Sequence, residues 1–157
     1  TEVTRVGDED SWVEIRPRPR GGFKVKYRLD YGSDNAIGRQ TIELAVTPKT
    51  FRSELAAART FLLESEAEWL RSRGLGTRVT TKDLVVFGDE GPIDNELRFE
   101  DECVRHKTLD LVGDFALAGC EIVGQVMAQR SGHRLNAELV RVLLAEGEII
   151  GEQRRTA

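Results

Sequence analysis

The sequence predicts an α+β fold: a mixed β-sheet with two long helices packed on one face and an inserted strand–helix–strand. Three observations carry this. Residues 23–31 alternate apolar and polar side chains almost without fault, the period of a half-buried strand. Residues 100–117 place Val104, Leu109, Leu111, Val112, Phe115 and Ala116 on a broad apolar stripe, the pattern of a well-buried helix. The order of elements is β-β-β, then β-α-β, then α-β-α, which segregates the helices to one side of a sheet.

Each element has its own signal. Residues 12–15 alternate, and Pro17 and Pro19 then interrupt, as at an edge strand or its end. Gly21-Gly22 is a turn, and residues 32–35 form a loop after the second strand. Residues 41–46 make the third strand, closed by Pro48. Residues 51–58 are short and helical or irregular. Residues 62–72 carry Glu, Ala, Leu and Trp at helical spacing, and Gly74 is a suitable C-terminal cap. Residues 84–87 form a short apolar strand that ends in Gly88-Asp89-Glu90-Gly91-Pro92. Residues 122–128 read as a strand, and residues 135–145 as the second long helix. The chain is expected to be one domain, residues 1–157, with an insert at about 60–87 and a frayed tail at 151–157.

Composition sets limits on function. The chain has 157 residues, 39% hydrophobic and 32% charged, as in an ordinary globular protein. No apolar run reaches the 18 residues of a transmembrane helix, and no signal peptide is visible. A net charge of −4 argues against general nucleic-acid binding, which needs surplus Lys and Arg. Cys103 and Cys120 lack CxxC spacing and are expected to be buried thiols of a reducing, cytoplasmic compartment. The chain begins at Thr1 and its only methionine is Met127, so it is expected to be a processed piece or a fragment.

The chemistry concentrates in residues 98–136. His106 and Asp110 stand four apart in a helical pattern and therefore share one face, which Asp114 continues a turn later. Zinc accepts imidazole nitrogen and carboxylate oxygen, so His106 and Asp110 are candidate metal ligands. A surface ion pair or a satisfied core histidine is the competing account of such a spacing. The only other histidine, His133, sits in a glycine-flanked turn. With Asp114 it could form a carboxylate–imidazole pair, which favours the protonated ring and suits it to stabilise an oxyanion or protonate a leaving amine. Equally, the two could be a solvated helix residue and a turn residue. Lys107 and Arg130 could hold an anionic substrate or simply be solvated. Thr60 could be a helix N-cap. Two metal ligands are fewer than the three of a catalytic zinc site, and no third is evident, so the chain reads as half of an active site.

Taken together, these residues resemble the UDP-3-O-acyl-N-acetylglucosamine deacetylases, the LpxC family of zinc amidases in lipid A biosynthesis. Phe99-Glu100-Asp101-Glu102, Val104-Arg105-His106-Lys107, Leu109-Asp110, Gly113-Asp114 and Ser131-Gly132-His133-x-Leu135-Asn136 follow the family pattern in order and spacing. Ala58-Arg59-Thr60-Phe61 and Arg73-Gly74-Leu75 are also similar. The resemblance covers nearly the whole chain but only the family's second domain.

The resemblance implies roles residue by residue. His106 and Asp110 match two of three protein zinc ligands. His133 matches the protonated histidine that stabilises the oxyanion or protonates the glucosamine amine, and Asp114 its carboxylate partner. Thr60 matches a hydroxyl that helps hold the oxyanion. Lys107 and Arg130 match basic positions near the anionic part of the substrate, the family more often having Lys at the latter. Tyr31 is similar to the aromatic on which uracil stacks, usually Phe, and Phe61 to a sugar-contacting aromatic. The insert resembles one that forms a passage for the acyl chain. Leu62 stands where the family usually has Gly, and Thr77-Arg78-Val79 where Gly-Gly is common, so the departures fall along that passage. The implied activity is zinc-dependent hydrolysis of the N-acetyl amide of UDP-3-O-acyl-N-acetylglucosamine. The Glu base and the third ligand, a His, would come from a partner domain, so the isolated chain is expected to be inactive. Two alternatives stand beside this: a non-catalytic relative that binds an acylated sugar nucleotide, and an amidase of altered specificity.

Overall fold

The computed structural model describes residues 2–19, 21–76, 78–80 and 82–147, so the expected tail at 151–157 lies outside the described residues. Among the described residues, two sheets and four α-helices make an α+β fold. The larger sheet contains β1 (Thr4–Gly7), β2 (Trp12–Arg16), β3 (Phe23–Asp30), β4 (Arg39–Val46) and, at the far end of the chain, β8 (Gly124–Gln129), in the order β1-β2-β8-β3-β4. β8 runs parallel to β3 and antiparallel to β2, which makes the sheet mixed. The alternation of β3 is realised as expected: Val25, Tyr27 and Leu29 are buried, while Lys24 and Lys26 on the other face pair with Glu43 of β4. β8 enters the sheet at a glycine for a steric reason. A Cβ on Gly124 would lie 2.9 Å from the Ile15 side chain and 3.0 Å from the Arg16 carbonyl oxygen.

The long helices α3 (Glu102–Ala116) and α4 (His133–Glu146) cover one face of this sheet, α3 over β3 and β4, and α4 over β1 and β2. Leu111 and Phe115 of α3 and Leu139 and Val140 of α4 meet Val13, Val25, Tyr27 and Val126 in one apolar core. Fully burying each such side chain contributes about 1.5–3 kcal/mol. Gln40 on β4 accepts the backbone N–H of Val104 at 3.0 Å and so satisfies one of the orphan donors of α3's first turn.

Between β4 and α3 the chain makes α1 (Pro48–Thr50), a π-helical turn (Phe51–Leu55), and a second sheet. Thr47 caps α1 with Pro48 at its first position, which explains why the strand ends there. The second sheet is β5 (Thr60–Leu63), β6 (Leu84–Gly88) and β7 (Gly91–Pro92), with α2 (Glu64–Ser72) between its first two strands. β5 and β6 are parallel, joined through α2, and β7 folds back on β6. This is the inserted strand–helix–strand. Gly74, at φ 71°, turns the chain out of α2 and donates to the Arg71 carbonyl at 2.9 Å.

The two cysteines differ from the expectation that both are buried. Cys103 is buried and its thiol is pushed up to about 12 by burial, with the Glu102 carboxylate adding to the shift; Cys120 is exposed. A water-soluble disulfide reagent at pH 8 is therefore expected to titrate one thiol in the folded protein, that of Cys120, and both after denaturation. Rapid reaction of both in the native state would show that α3 does not seal Cys103 into the core.

Candidate metal and catalytic site

His106, Asp110 and Asp114 fall at successive turns of α3 and share one face of it. His106 Nδ1 stands 3.5 Å from Asp110 Oδ2, and both side chains are 13% exposed. This Nδ1 is buried and makes no hydrogen bond among the described residues. The other ring nitrogen, Nε2, is 3.0 Å from Thr60 Oγ1 on β5. Lys107 Nζ donates to the same Asp110 oxygen at 3.3 Å. Burial lowers the His106 pKa below its ordinary value; Asp110 opposes this, and the charges of Lys107 and His133 reinforce it. The neutral ring is the form that a metal ion accepts as a ligand.

An unpartnered buried nitrogen beside a carboxylate oxygen is a pair of donors aimed at common ground. Tetrahedral bonds of about 2.0–2.2 Å set two donors roughly 3.4 Å apart, and the observed 3.5 Å fits that span. With Nδ1 so used, Nε2–H donates to Thr60, the type of outer contact that fixes a ligating imidazole. Among the described residues, no group of three or more His, Cys, Asp or Glu could hold a metal ion. His106 and Asp110 are thus two candidate donors.

His133 is the first residue of α4, and its Nδ1 lies 3.0 Å and 2.9 Å from the two carboxylate oxygens of Asp114. Asn136, one turn on, donates from Nδ2 to Asp114 Oδ2 at 2.8 Å. Ser131 donates to Asn136 Oδ1 at 3.0 Å, and the Tyr27 hydroxyl of β3 donates to the Ser131 carbonyl. Burial pushes the Tyr27 hydroxyl up to about 12, so it remains a neutral donor. Arg130 links β8 to α4 in the left-handed region, at φ 48°, and its N–H donates to the Arg28 carbonyl at 3.0 Å. These contacts tie the Asp114–His133 pair to the sheet while leaving the His133 side chain 70% exposed.

The aromatic candidates also gather here. Phe61 of β5 is buried, with ring centroids 6.1 Å from His106, 5.9 Å from Tyr31 and 6.4 Å from Phe87. Tyr31 is 38% exposed, and the charge of Arg130 reaches both Tyr31 and Asp30. Thr60, His106, Asp110, Lys107 and Phe61 therefore form one contiguous group. Asp114 and His133 form a second within electrostatic reach of the first; Tyr31 touches the first through Phe61, and the charge of Arg130 reaches Tyr31.

One sequence-based alternative is corrected. Thr60 does not cap α2: it lies inside β5, and α2 begins at Glu64, where the Glu66 carboxylate accepts the Leu63 N–H at 2.9 Å. Two participants carried no assigned role in the sequence. Asn136 stands three residues after His133, the spacing of one helix face, and Glu102 stands four before His106. Those spacings were the available signals.

The chain matches the family described as LpxC: UDP-3-O-acyl N-acetylglycosamine deacetylase over residues 1–145. A UDP-3-O-acyl-N-acetylglucosamine deacetylase from Solibacter usitatus (strain Ellin6076) is 40% identical over 145 residues, which is 92% of this chain and 48% of that protein. The proteins of the same name from Brucella ovis and Brucella suis are each 43% identical over 147 residues, 92% of this chain and 50% of theirs. The chain thus spans about half the length of the curated relatives it matches. It belongs to the LpxC family of UDP-3-O-acyl N-acetylglycosamine deacetylases.

Proposed function

We propose that this chain supplies half of the active site of a zinc-dependent deacetylase that hydrolyses the N-acetyl amide of UDP-3-O-acyl-N-acetylglucosamine, an early intermediate of lipid A biosynthesis. The observation that carries the reading is the buried, unpartnered His106 Nδ1 facing Asp110 at 3.5 Å, beside the Asp114–His133 pair, in a chain of this family. His106 and Asp110 would hold the zinc. What zinc supplies there is a bound water of lowered pKa and polarisation of the amide carbonyl.

The remaining chemistry belongs to side chains. Asp114 engages His133 at Nδ1 with both carboxylate oxygens, which orients the ring and leaves Nε2 as the ring atom for the substrate. His133 then donates to the oxyanion or passes a proton to the departing amine. Thr60 holds the opposite side of the site through His106. Lys107 and Arg130 supply positive charge for the anionic part of the substrate. Tyr31 offers an exposed ring on which uracil can stack, and Phe61 walls the sugar side. A glutamate base and a third ligand, a histidine, would be supplied by a partner domain, for which the relatives' twofold greater length leaves room.

The test is direct. The isolated chain is expected to bind Zn²⁺ weakly and to be inactive, because two protein ligands leave at least two positions to water. The full-length protein is expected to bind one equivalent tightly and to release acetate from the substrate. Calorimetry compares the two forms. Tight stoichiometric binding by the isolated chain would overturn the half-site reading.

A further inference from the structure

Thr60 and His106 come from different elements, and something must fix their relative position. Arg59, the residue before Thr60, is buried, and Glu102, one turn before His106 on α3, is 1% exposed. The two are joined three times: Arg59 N–H to Glu102 Oε1 at 2.9 Å, Nε to Oε1 at 2.8 Å, and Nη2 to Oε2 at 3.0 Å. The Arg98 N–H donates to Oε2 at 2.7 Å, so the carboxylate accepts four hydrogen bonds, about its full capacity. Arg59 also donates from Nη1 to Asn95 Oδ1 at 2.9 Å and from Nη2 to the Glu96 carbonyl at 2.7 Å. One guanidinium therefore locks β5, the start of α3 and the loop after β7 together.

A buried ion pair is weak evidence of net stabilisation, since burying both charges costs about what their attraction returns. Its geometric role is stronger. The main-chain N–H of Arg59 is itself a donor to Glu102, so the pair fixes backbone, not only side chains, directly beside Thr60. We propose that Arg59 and Glu102 are positioning residues of the deacetylase site: they set Thr60 Oγ1 against His106 Nε2 and so orient the imidazole whose other nitrogen faces Asp110. The proposal rests on the function proposed above.

The test uses the full-length protein, zinc-loaded, with Arg59→Lys. Lysine keeps the charge but loses the fork that reaches Glu102, Asn95 and Glu96 together. A displacement of order 1 Å in a catalytic group typically costs about 10²-fold. The expected result is a kcat about 10- to 100-fold lower per folded molecule, KM within about twofold, and zinc content unchanged. A merely structural pair would lower the melting temperature and leave kcat per folded molecule unaltered; that outcome overturns the proposal. If Arg59→Lys does not fold, Glu102→Gln takes its place, and if neither folds the pair is structural and the proposal fails. A second readout separates this from failure of the functional reading. In zinc-free protein labelled with [¹⁵N]histidine, the His106 Nε2 resonance should move toward that of a ring without the Thr60 hydrogen bond in Arg59→Lys. An unmoved resonance refutes positioning even if no deacetylation is found in the parent protein.

Discussion

In the full-length protein, His133→Ala is expected to lower kcat by about 10²–10³ while leaving bound zinc at one equivalent, the cost of removing one preorganised oxyanion donor. The structure separates the two roles. His133 opens α4 and reaches the site through Asp114, whereas the candidate metal donors, His106 and Asp110, lie on α3. Asp110→Ala should behave oppositely: metal is lost first, and activity falls as a consequence. Asp114→Asn should resemble a milder His133 change, because an amide holds the ring less firmly than the carboxylate whose two oxygens both contact Nδ1. Steady-state kinetics paired with metal analysis on the same samples distinguish these outcomes. Loss of zinc in His133→Ala, in proportion to activity, would make His133 a ligand and overturn its assignment as donor.

The parts of the fold legible in the sequence are those with strong period. β3, α3 and α4 announce themselves because one face is buried and the other solvated over eight or more residues. β1, β5 and β7 carry no such signal, for the opposite reason, and residues 62–63, expected in a helix, lie in the four-residue β5. β1 has four residues, and β7 has two, one of them Pro92, too short for a period to show. β8 begins at Gly124, two residues later than expected at Ile122. The site divides in the same way. His106, Asp110 and Asp114 follow from helix spacing, which is local. The placement of Thr60 against His106, of Phe61 between Tyr31 and Phe87, and of Arg59 on Glu102 joins residues 26 to 46 positions apart. No local pattern encodes such pairings; only the family resemblance pointed to Thr60.

Glu102→Ala should be among the most destabilising single changes in this chain, by about 3–5 kcal/mol near neutral pH, since it leaves the Arg59 guanidinium buried without its carboxylate. For a domain of this size that corresponds to a fall in Tm of roughly 6–20 °C. Glu121→Ala, at an exposed position, should stay within about 0.5 kcal/mol. The pH dependence follows from the sign of the shift. Burial alone would raise the Glu102 carboxyl, but the Arg59 side chain and the N–H groups of Arg59 and Arg98 outweigh it and hold it below the usual glutamate value. A depressed carboxyl contributes stability that is fully present above the unfolded value, near about 4.3, and is lost as pH falls through the folded value. The gap between parent and Glu102→Ala should therefore be widest at neutral pH and narrow below about pH 4, as the parent protonates its own Glu102. Urea unfolding at pH 7, 5 and 3.5 measures that gap. A difference that stays constant across the series would mean that Glu102 acts through packing rather than charge, and the ion pair would lose its place as the clasp between β5 and α3.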